Sequence, residues 1–303
     1  MGATRYLRFP PGMGHVLVPS RPPTAAALGI TLYTASRTRP LTAQRLLWLL
    51  ARAGGIRAVP GPRGQWRPPM GEVVLSELLA QWREAVGAPV AGLAIYNRPQ
   101  EHRPALSLMV CAGDRSLLVR VRREAESLVL EQRVSEVAQT LGARAFRVPR
   151  LRASGSAAGW SWVGYEVIGQ RPHAPARSAS PALYAEVTRL VEAAVPRPEG
   201  CPADWRGAHG DLTPWNLRRS GGRLWLIDWE DARFAPPGAD EVYFALTRAA
   251  LGGRSRIPWL KVVGRHSEAR QYWIAELTPR LHDDRGAELV ARMLGLLTDG
   301  AIG

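Results

Sequence analysis

Lysine is almost absent from this chain of 303 residues: Lys261 is the only one among 40 basic residues, which leaves 39 arginines. Uniform avoidance of one codon family reads as GC-rich coding bias, not as selection for guanidinium chemistry. Cysteine is nearly absent too, with only Cys111 and Cys201. That excludes a disulfide-stapled secreted scaffold and fits a reducing compartment, so a cytoplasmic location is expected. There is no Gly-X-Y period and no zinc-ligand spacing. Long apolar runs are missing as well. The greasiest stretch, Leu46–Ala51, is bracketed by Arg45 and Arg52 and falls far short of the ~20 residues a membrane-spanning helix needs. The start lacks the three-part pattern of a secretory signal. Its arginines without acids resemble an organelle-targeting peptide, but it is Pro-rich and holds strand and helix candidates of its own.

Acidic residues are missing from one region only. Residues 1–71 carry ten arginines and no Asp or Glu. Residues 72–180 are net +4 and residues 181–303 net zero, which accounts for the overall +14. A nucleic-acid binder with basic surface throughout would not be divided this way, and no nucleic-acid motif is present. Hydrophobic residues at 46% and charged residues at 22% are ordinary for a folded chain and exclude disorder.

The first 40 residues, interrupted by six prolines, read as irregular, with a short strand at Leu28–Thr34. Thr42–Ala53 reads as a helix capped by Thr42, residues 54–70 as a loop, and Glu72–Val86 as a second helix with Val73, Val74, Leu78, Leu79 and Trp82 on one side. Strands are expected at Val90–Tyr96, Leu106–Cys111 and Leu117–Arg122, then a helix at Ala125–Leu141 and a strand at Trp160–Ile168. A Pro/Ser-rich connection at 170–181 leads to helices at Pro181–Ala194, Glu241–Leu251, Ser267–Leu281 and Gly286–Leu297. The expected division is a basic extension over 1–87, a sheet-rich lobe over 88–170 and a helix-rich lobe over 171–303.

The chemistry concentrates in two blocks. One is His209-Gly210-Asp211-Leu212-Thr213-Pro214-Trp215-Asn216, the other Ile227-Asp228-Trp229-Glu230 after an apolar strand. Phosphoryl transfer from ATP needs such a set: one carboxylate to orient or deprotonate the attacking hydroxyl, and an amide oxygen with a second carboxylate to hold Mg²⁺ against the triphosphate. A turn followed by a helix cap would use the same residue types at His209 and Asp211 without catalysis.

These blocks resemble the aminoglycoside phosphotransferase and choline kinase-like family, which has a protein-kinase-like fold. That family reads His-Gly-Asp, four residues, then Asn, followed later by Ile-Asp-Trp/Phe-Glu. The resemblance implies an α+β bilobal fold and transfer of the γ-phosphoryl group of ATP to a hydroxyl of a small molecule, such as an aminoglycoside, a sugar or an amino alcohol. It implies Asp211 as catalytic base, His209 as the residue bracing the loop, Asn216 and Asp228 as Mg²⁺ ligands, and Asp240 as a buttress. In the sheet-rich lobe it implies a Lys on the strand 117–122, paired with a Glu on the next helix. This chain has Arg120 there, with Glu131 on the helix. Arg offers a planar fork in place of a point charge, so the exchange is not conservative. A plain exposed strand arginine is the alternative.

The resemblance also places backbone of Glu166 and Ile168 toward adenine. No Gly-rich phosphate loop is visible. Arg98, His102 and Arg103 occupy that hairpin position, as phosphate cations or as a solvated loop. The rival to an enzyme is a pseudokinase or scaffold in a bacterial polysaccharide or secondary-metabolite pathway. The basic arm over 1–71 is expected either to steer an anionic partner, a lipid surface or a phosphorylated or acidic substrate, or simply to pack on the kinase lobe.

Overall fold

The computed structural model describes residues 5–10, 14–97, 106–123, 125–252, 257–282 and 286–299. The loop holding Arg98, His102 and Arg103 lies outside them. The chain divides into two compact units, residues 1–132 with 149–174, and residues 133–148 with 175–303. A sheet-rich unit and a mainly helical one follow each other in the order expected of the protein-kinase-like, α+β class.

The first unit contains β1 (Arg5–Phe9), β2 (Val16–Pro19), α1 (Pro23–Ile30), α2 (Thr38–Gly54), β3 (Arg63–Gln65), α3 (Gly71–Val86), β4 (Gly92–Asn97), β5 (Leu106–Cys111), β6 (Leu117–Arg122), the start of α4 (Glu126–Leu141), β7 (Leu151–Ala157) and β8 (Trp160–Glu166). Its eight strands form one sheet in the order β3-β1-β2-β4-β5-β6-β8-β7. Neighbouring strands run antiparallel throughout. Alternation along β1 puts Tyr6 in one core and Leu7 and Phe9 in another. Leu7, Phe9, Val16 and Val18 pack with Ala26, Ala27 and Ile30 of α1. On the other core, Leu75, Leu78, Trp82 and Val86 of α3, at helical spacing, join Ile95, Leu108, Val119 and Trp162. Trp82 is fully buried and meets Trp162 edge to face at 6.4 Å. Full burial of side chains of this size contributes roughly 1.5–3 kcal/mol each.

Among the described residues before 87, β1, β2 and β3 belong to this sheet, and no sheet boundary falls at the expected division at residue 87. Three strands and α3 come from that stretch because its apolar residues alternate within short segments between the prolines. The expected strand at Leu28–Thr34 is a correction: Pro23–Ile30 is a helix, with Pro at its first turn and three alanines to favour it. The buried Gln44 amide donates to the carbonyls of Ile30 (2.8 Å) and Tyr33 (2.6 Å) just beyond it. Thr42 is not a cap, since α2 starts at Thr38 and the Thr42 hydroxyl donates to the Thr38 carbonyl. Val73 faces solvent, 83% exposed, because the inward face of α3 falls at 75, 78, 82 and 86. The stretch 54–70 holds a short 3-10 turn and β3. Strand β7, Leu-Arg-Ala-Ser-Gly-Ser-Ala, was not expected; its small residues have weak strand propensity, and pairing with β8 imposes the conformation.

The second unit holds the remainder of α4, β9 (Ala174–Pro175) at its boundary, α5 (Pro181–Ala194), β10 (Arg206–Ala208), β11 (Leu217–Ser220), β12 (Arg223–Leu226), β13 (Arg233–Ala235), α6 (Ala239–Ala250), α7 (Ile257–Arg265), α8 (Ser267–Leu277) and α9 (Ala287–Asp299). The Ser180 hydroxyl caps α5 by accepting from the Leu183 amide at 3.2 Å. Gly207 on β10 lets α5 approach, since a Cβ there would lie 2.8 Å from the Thr188 carbonyl oxygen. Val242, Leu246, Trp259, Trp273, Leu277, Met293 and Leu297 form the core shared by α6–α9. Helix α7 is a further element not expected from the sequence.

Candidate active site

Strand β10 ends at Ala208 and delivers His209-Gly210-Asp211 to a tight loop. Gly210 has φ +79°, and a Cβ there would sit 2.1 Å from the Asp231 carbonyl oxygen, so the loop admits only glycine. Asp240, in the first turn of α6, holds the loop from beneath. Its carboxylate accepts the amides of His209 (2.7 Å) and Gly210 (3.2 Å). The His209 ring is fully buried. Its Nε2–H donates to the Ile227 carbonyl at 3.0 Å, and Nδ1 accepts the Asp211 amide at 3.2 Å. Both nitrogens are thus used by the neutral ring. Burial holds its pKa below the ordinary value, against the pull of Asp240 and Asp228. Trp229 covers the ring at 4.6 Å.

Asn216 turns its side-chain amide back onto Asp211, donating to its carbonyl (3.0 Å) and its Oδ2 (2.7 Å). The Asn216 backbone is fixed by Thr213 on one side, and its carbonyl accepts the Ile227 amide at 3.1 Å on the other. That last bond ties the first block to the second. Asp228 follows directly, with φ +71°, a left-handed conformation uncommon for a residue with a side chain. Such departures cluster at functional sites.

Asp211 is raised well above the ordinary carboxylate range by burial, then by the charges of Asp228 and Asp231, with the Asn216 hydrogen bond and Arg280 pulling the other way. The Tyr243 hydroxyl, hydrogen-bonded to Asp211, is also raised, first by its own burial and then by that carboxylate. Tyr243 stacks on Trp273 at 4.0 Å. Beside them Glu276 takes Arg233 at 2.9 Å and Arg280 at 3.7 Å. Sequence reasoning missed Tyr243, Glu276 and Arg280. For Tyr243 a signal existed: it lies three residues after Asp240 on the same helix, hence on the same face.

In the first unit, Arg120 on β6 and Glu131 on α4 form an ion pair at 3.2 Å with both side chains 8% exposed. The two expected partners are therefore together, and Arg120 is not an exposed strand arginine. Glu166 is committed locally. Its amide donates to the Arg150 carbonyl (2.9 Å), and its carboxylate accepts the Arg150 amide (3.1 Å) and pairs with Arg152 (3.7 Å). Its N–H is thus engaged by the Arg150 carbonyl. Ile168 lies just past the end of β8, half-buried.

Among the described residues no group of three or more His, Cys, Asp or Glu side chains is placed to hold a metal ion alone. The Asp228 carboxylate with the Asn216 side-chain oxygen instead fits Mg²⁺, which commonly takes one or two protein carboxylates and completes its shell with phosphate oxygens and water. The mutual repulsion that raises Asp211 is what such a cation would relieve.

Residues 182–280 match the model of the phosphotransferase enzyme family, a span containing His209, Asp211, Asn216, Asp228 and Asp240. The resemblance read in the two sequence blocks is thereby met over about a third of the chain. Solved structures similar to this one include a thermostable mutant of aminoglycoside phosphotransferase APH(4)-Ia in its apo form, 15% identical, covering 74% of this chain and 99% of that one with a TM-score of 0.49. A GDP complex of a mutant aminoglycoside 2′-phosphotransferase-IIIa is 14% identical, covering 75% and 97%, TM-score 0.48. Amicoumacin kinase hAmiN in complex with AMP-PNP, Ca²⁺ and Ami is 12% identical, covering 74% and 85%, TM-score 0.43. Comparison with curated proteins gives no match.

Proposed function

We propose that this chain is a small-molecule kinase that moves the γ-phosphoryl group of ATP to an alcohol hydroxyl. The observation supporting it most is the Asp211–Asn216 pair braced by neutral His209 and Asp240 and linked through Ile227 to Asp228. Asp211 accepts the hydrogen bond of the acceptor hydroxyl and takes its proton as the oxygen attacks the γ-phosphorus. The bond from that phosphorus to the bridging oxygen breaks, and ADP leaves with the electron pair. A carboxyl raised above its usual range is a stronger base than an ordinary aspartate. Asn216 and Asp228 would hold Mg²⁺, which supplies charge neutralisation at the phosphates. Arg120, oriented by Glu131, supplies the cation for the α- and β-phosphates. The backbone at Glu166 and Ile168 supplies the candidates for the adenine edge.

The acceptor classes are an aminoglycoside-like compound, a sugar or an amino alcohol. The cytosol, where ATP is abundant, is the compartment that suits this chemistry. Among the described residues no helix is long and apolar enough to cross a membrane. The pseudokinase alternative rests on Arg in place of Lys, and the buried Arg120–Glu131 pair argues for a retained phosphate cation. A screen of hydroxylated small molecules with labelled ATP and Mg²⁺, beside Asp211→Ala, tests the reading. Label transfer that survives Asp211→Ala would refute it.

A further inference from the structure

Within the second unit, away from His209, Asp211, Asn216 and Asp228, lies a groove of 540 Å³. It is lined by Ala143, Phe146, Gly222, Leu224 and their neighbours, among which are four arginines, Arg144, Arg147, Arg219 and Arg223. The lining includes no Asp or Glu. All four arginine side chains belong to exposed residues, and none forms an ion pair among the described residues. The nearby carboxylate of Glu186 is occupied, accepting the amides of Arg144 (2.7 Å) and Ala145 (2.6 Å) and pairing with Arg189 (3.6 Å).

Two of the four, Arg219 and Arg223, come from the stretch 181–303, which carries as many acids as bases. Elsewhere in the unit arginines find partners, as Arg233 does with Glu276 and Arg265 with Glu241. Four guanidinium groups facing one groove repel one another, and a polyanion would turn that cost into attraction.

The frame is also rigid. Strands β11 and β12 are joined by Gly221 and Gly222, both at positive φ, in a two-residue hairpin that pairs Ser220 with Arg223 and Arg219 with Leu224. The segment through Arg147 is bonded onto β12: its amide donates to Leu224 (2.8 Å) and its carbonyl accepts from Leu226 (2.9 Å). The Arg147 guanidinium lies 5.7 Å from the Trp225 ring centroid. Phe146 anchors the segment against Trp229 at 6.1 Å. The backbone carrying Arg147, Arg219 and Arg223 is thus paired.

We propose that this groove binds a small solute bearing several phosphate groups. Guanidinium forks match phosphate oxygens two at a time, and a cavity of this size takes a molecule of small-ligand dimensions. None of the groove's lining residues is among those proposed to hold the triphosphate during phosphoryl transfer.

The probe is inorganic tripolyphosphate without Mg²⁺, titrated calorimetrically against the full chain at two salt concentrations. Binding is expected, and it weakens as salt rises. The double variant Arg219→Gln/Arg223→Gln should weaken it at least tenfold while keeping its melting midpoint, since both side chains are exposed. Arg144→Gln alone should weaken it less. Arg120→Ala, titrated at a temperature where its melting curve shows it folded, should leave it in place. Loss in Arg120→Ala with retention in the double variant would put the anion at the nucleotide phosphates and overturn the proposal. So would unchanged binding in the double variant, or no tripolyphosphate binding by a wild-type chain that does bind phosphatidylserine vesicles. If the double variant melts early, Arg144→Gln with an unaltered melting midpoint and unaltered affinity overturns it equally.

Discussion

Asn216 grips Asp211 twice, donating its side-chain amide to the backbone carbonyl at 3.0 Å and to the carboxylate at 2.7 Å. The bond to the carboxylate favours its charged form and works against burial and the neighbouring Asp228. Asn216→Ala should therefore raise the Asp211 pKa further. The acid limb of the kcat/KM profile should move to higher pH, with kcat lowered by roughly 10²-fold or more from misplacement of the base and loss of a metal ligand. An unmoved acid limb would separate Asp211 from that titration.

Asp211 also stands in tension with stability. Its folded pKa is raised, so the unfolded chain gives up this proton more readily. The contribution to stability is present below the ordinary carboxylate value near 3.8 and is lost as pH rises through the folded pKa. Asp211→Asn removes the ionisation and the repulsion from Asp228. At pH 7 without nucleotide or Mg²⁺ it should melt higher than wild type by a few degrees, while phosphotransfer is lost. A lower melting midpoint would contradict the electrostatic account.

His209 works with the opposite sign. Burial lowers its pKa below 6.5, so the unfolded chain binds the proton first and stability falls as pH drops below about 6.5. Chemical-denaturation midpoints measured between pH 8 and pH 5 should decline in wild type. The decline should be smaller in His209→Asn, which lowers stability at pH 8 but carries no titrating ring.

Much of this site was legible before the structure, because its residues are neighbours in sequence. Asp211 and Asn216 belong to one loop, and Asp228 ends the hairpin that returns to it. Where contact is made across many residues, spacing alone was a weaker guide. Arg120 and Glu131 meet because β6 and α4 are adjacent, whereas Glu276 and Arg280 come beside Asp211 only through packing of the helical unit. In the first 86 residues the helices at 42–53 and 72–86 were legible and the three strands were not, for a related reason. Their strands are three to five residues long, and it is sheet partners such as β4 that give them a place. At Leu28 the alanines before it decided for helix, although its β-branched neighbours suggested strand. At Glu166 the backbone N–H is taken by the carbonyl of Arg150, just before β7, a register the sequence does not display.

Arg120→Ala should raise the KM for ATP steeply and expose an uncompensated Glu131 carboxylate in a buried place, costing about 3–5 kcal/mol of stability. Arg120→Lys keeps a cation there and should retain most of the nucleotide affinity. Equal loss in both variants would show that the guanidinium fork itself is required.

Gly210→Ala should damage the loop outright. Its φ of +79° alone would cost about 1–3 kcal/mol for a residue with a side chain, and the Asp231 carbonyl stands in the way of the Cβ. A lowered melting midpoint together with loss of turnover is expected, and a variant with wild-type stability would mean that the loop has a second accessible conformation.

The central claim is that Asp211 is the base of an ATP-dependent phosphotransferase. Transfer of label from γ-labelled ATP to a hydroxylated acceptor, in the presence of Mg²⁺, tests it most directly when wild type and Asp211→Ala are compared at equal occupancy by Mg·nucleotide. The account predicts transfer by wild type and a rate roughly 10²–10⁴-fold lower in the variant, with nucleotide still bound. Equal transfer by the two proteins, or tight Mg·ATP binding with no transfer by wild type to any hydroxylated acceptor, would contradict it.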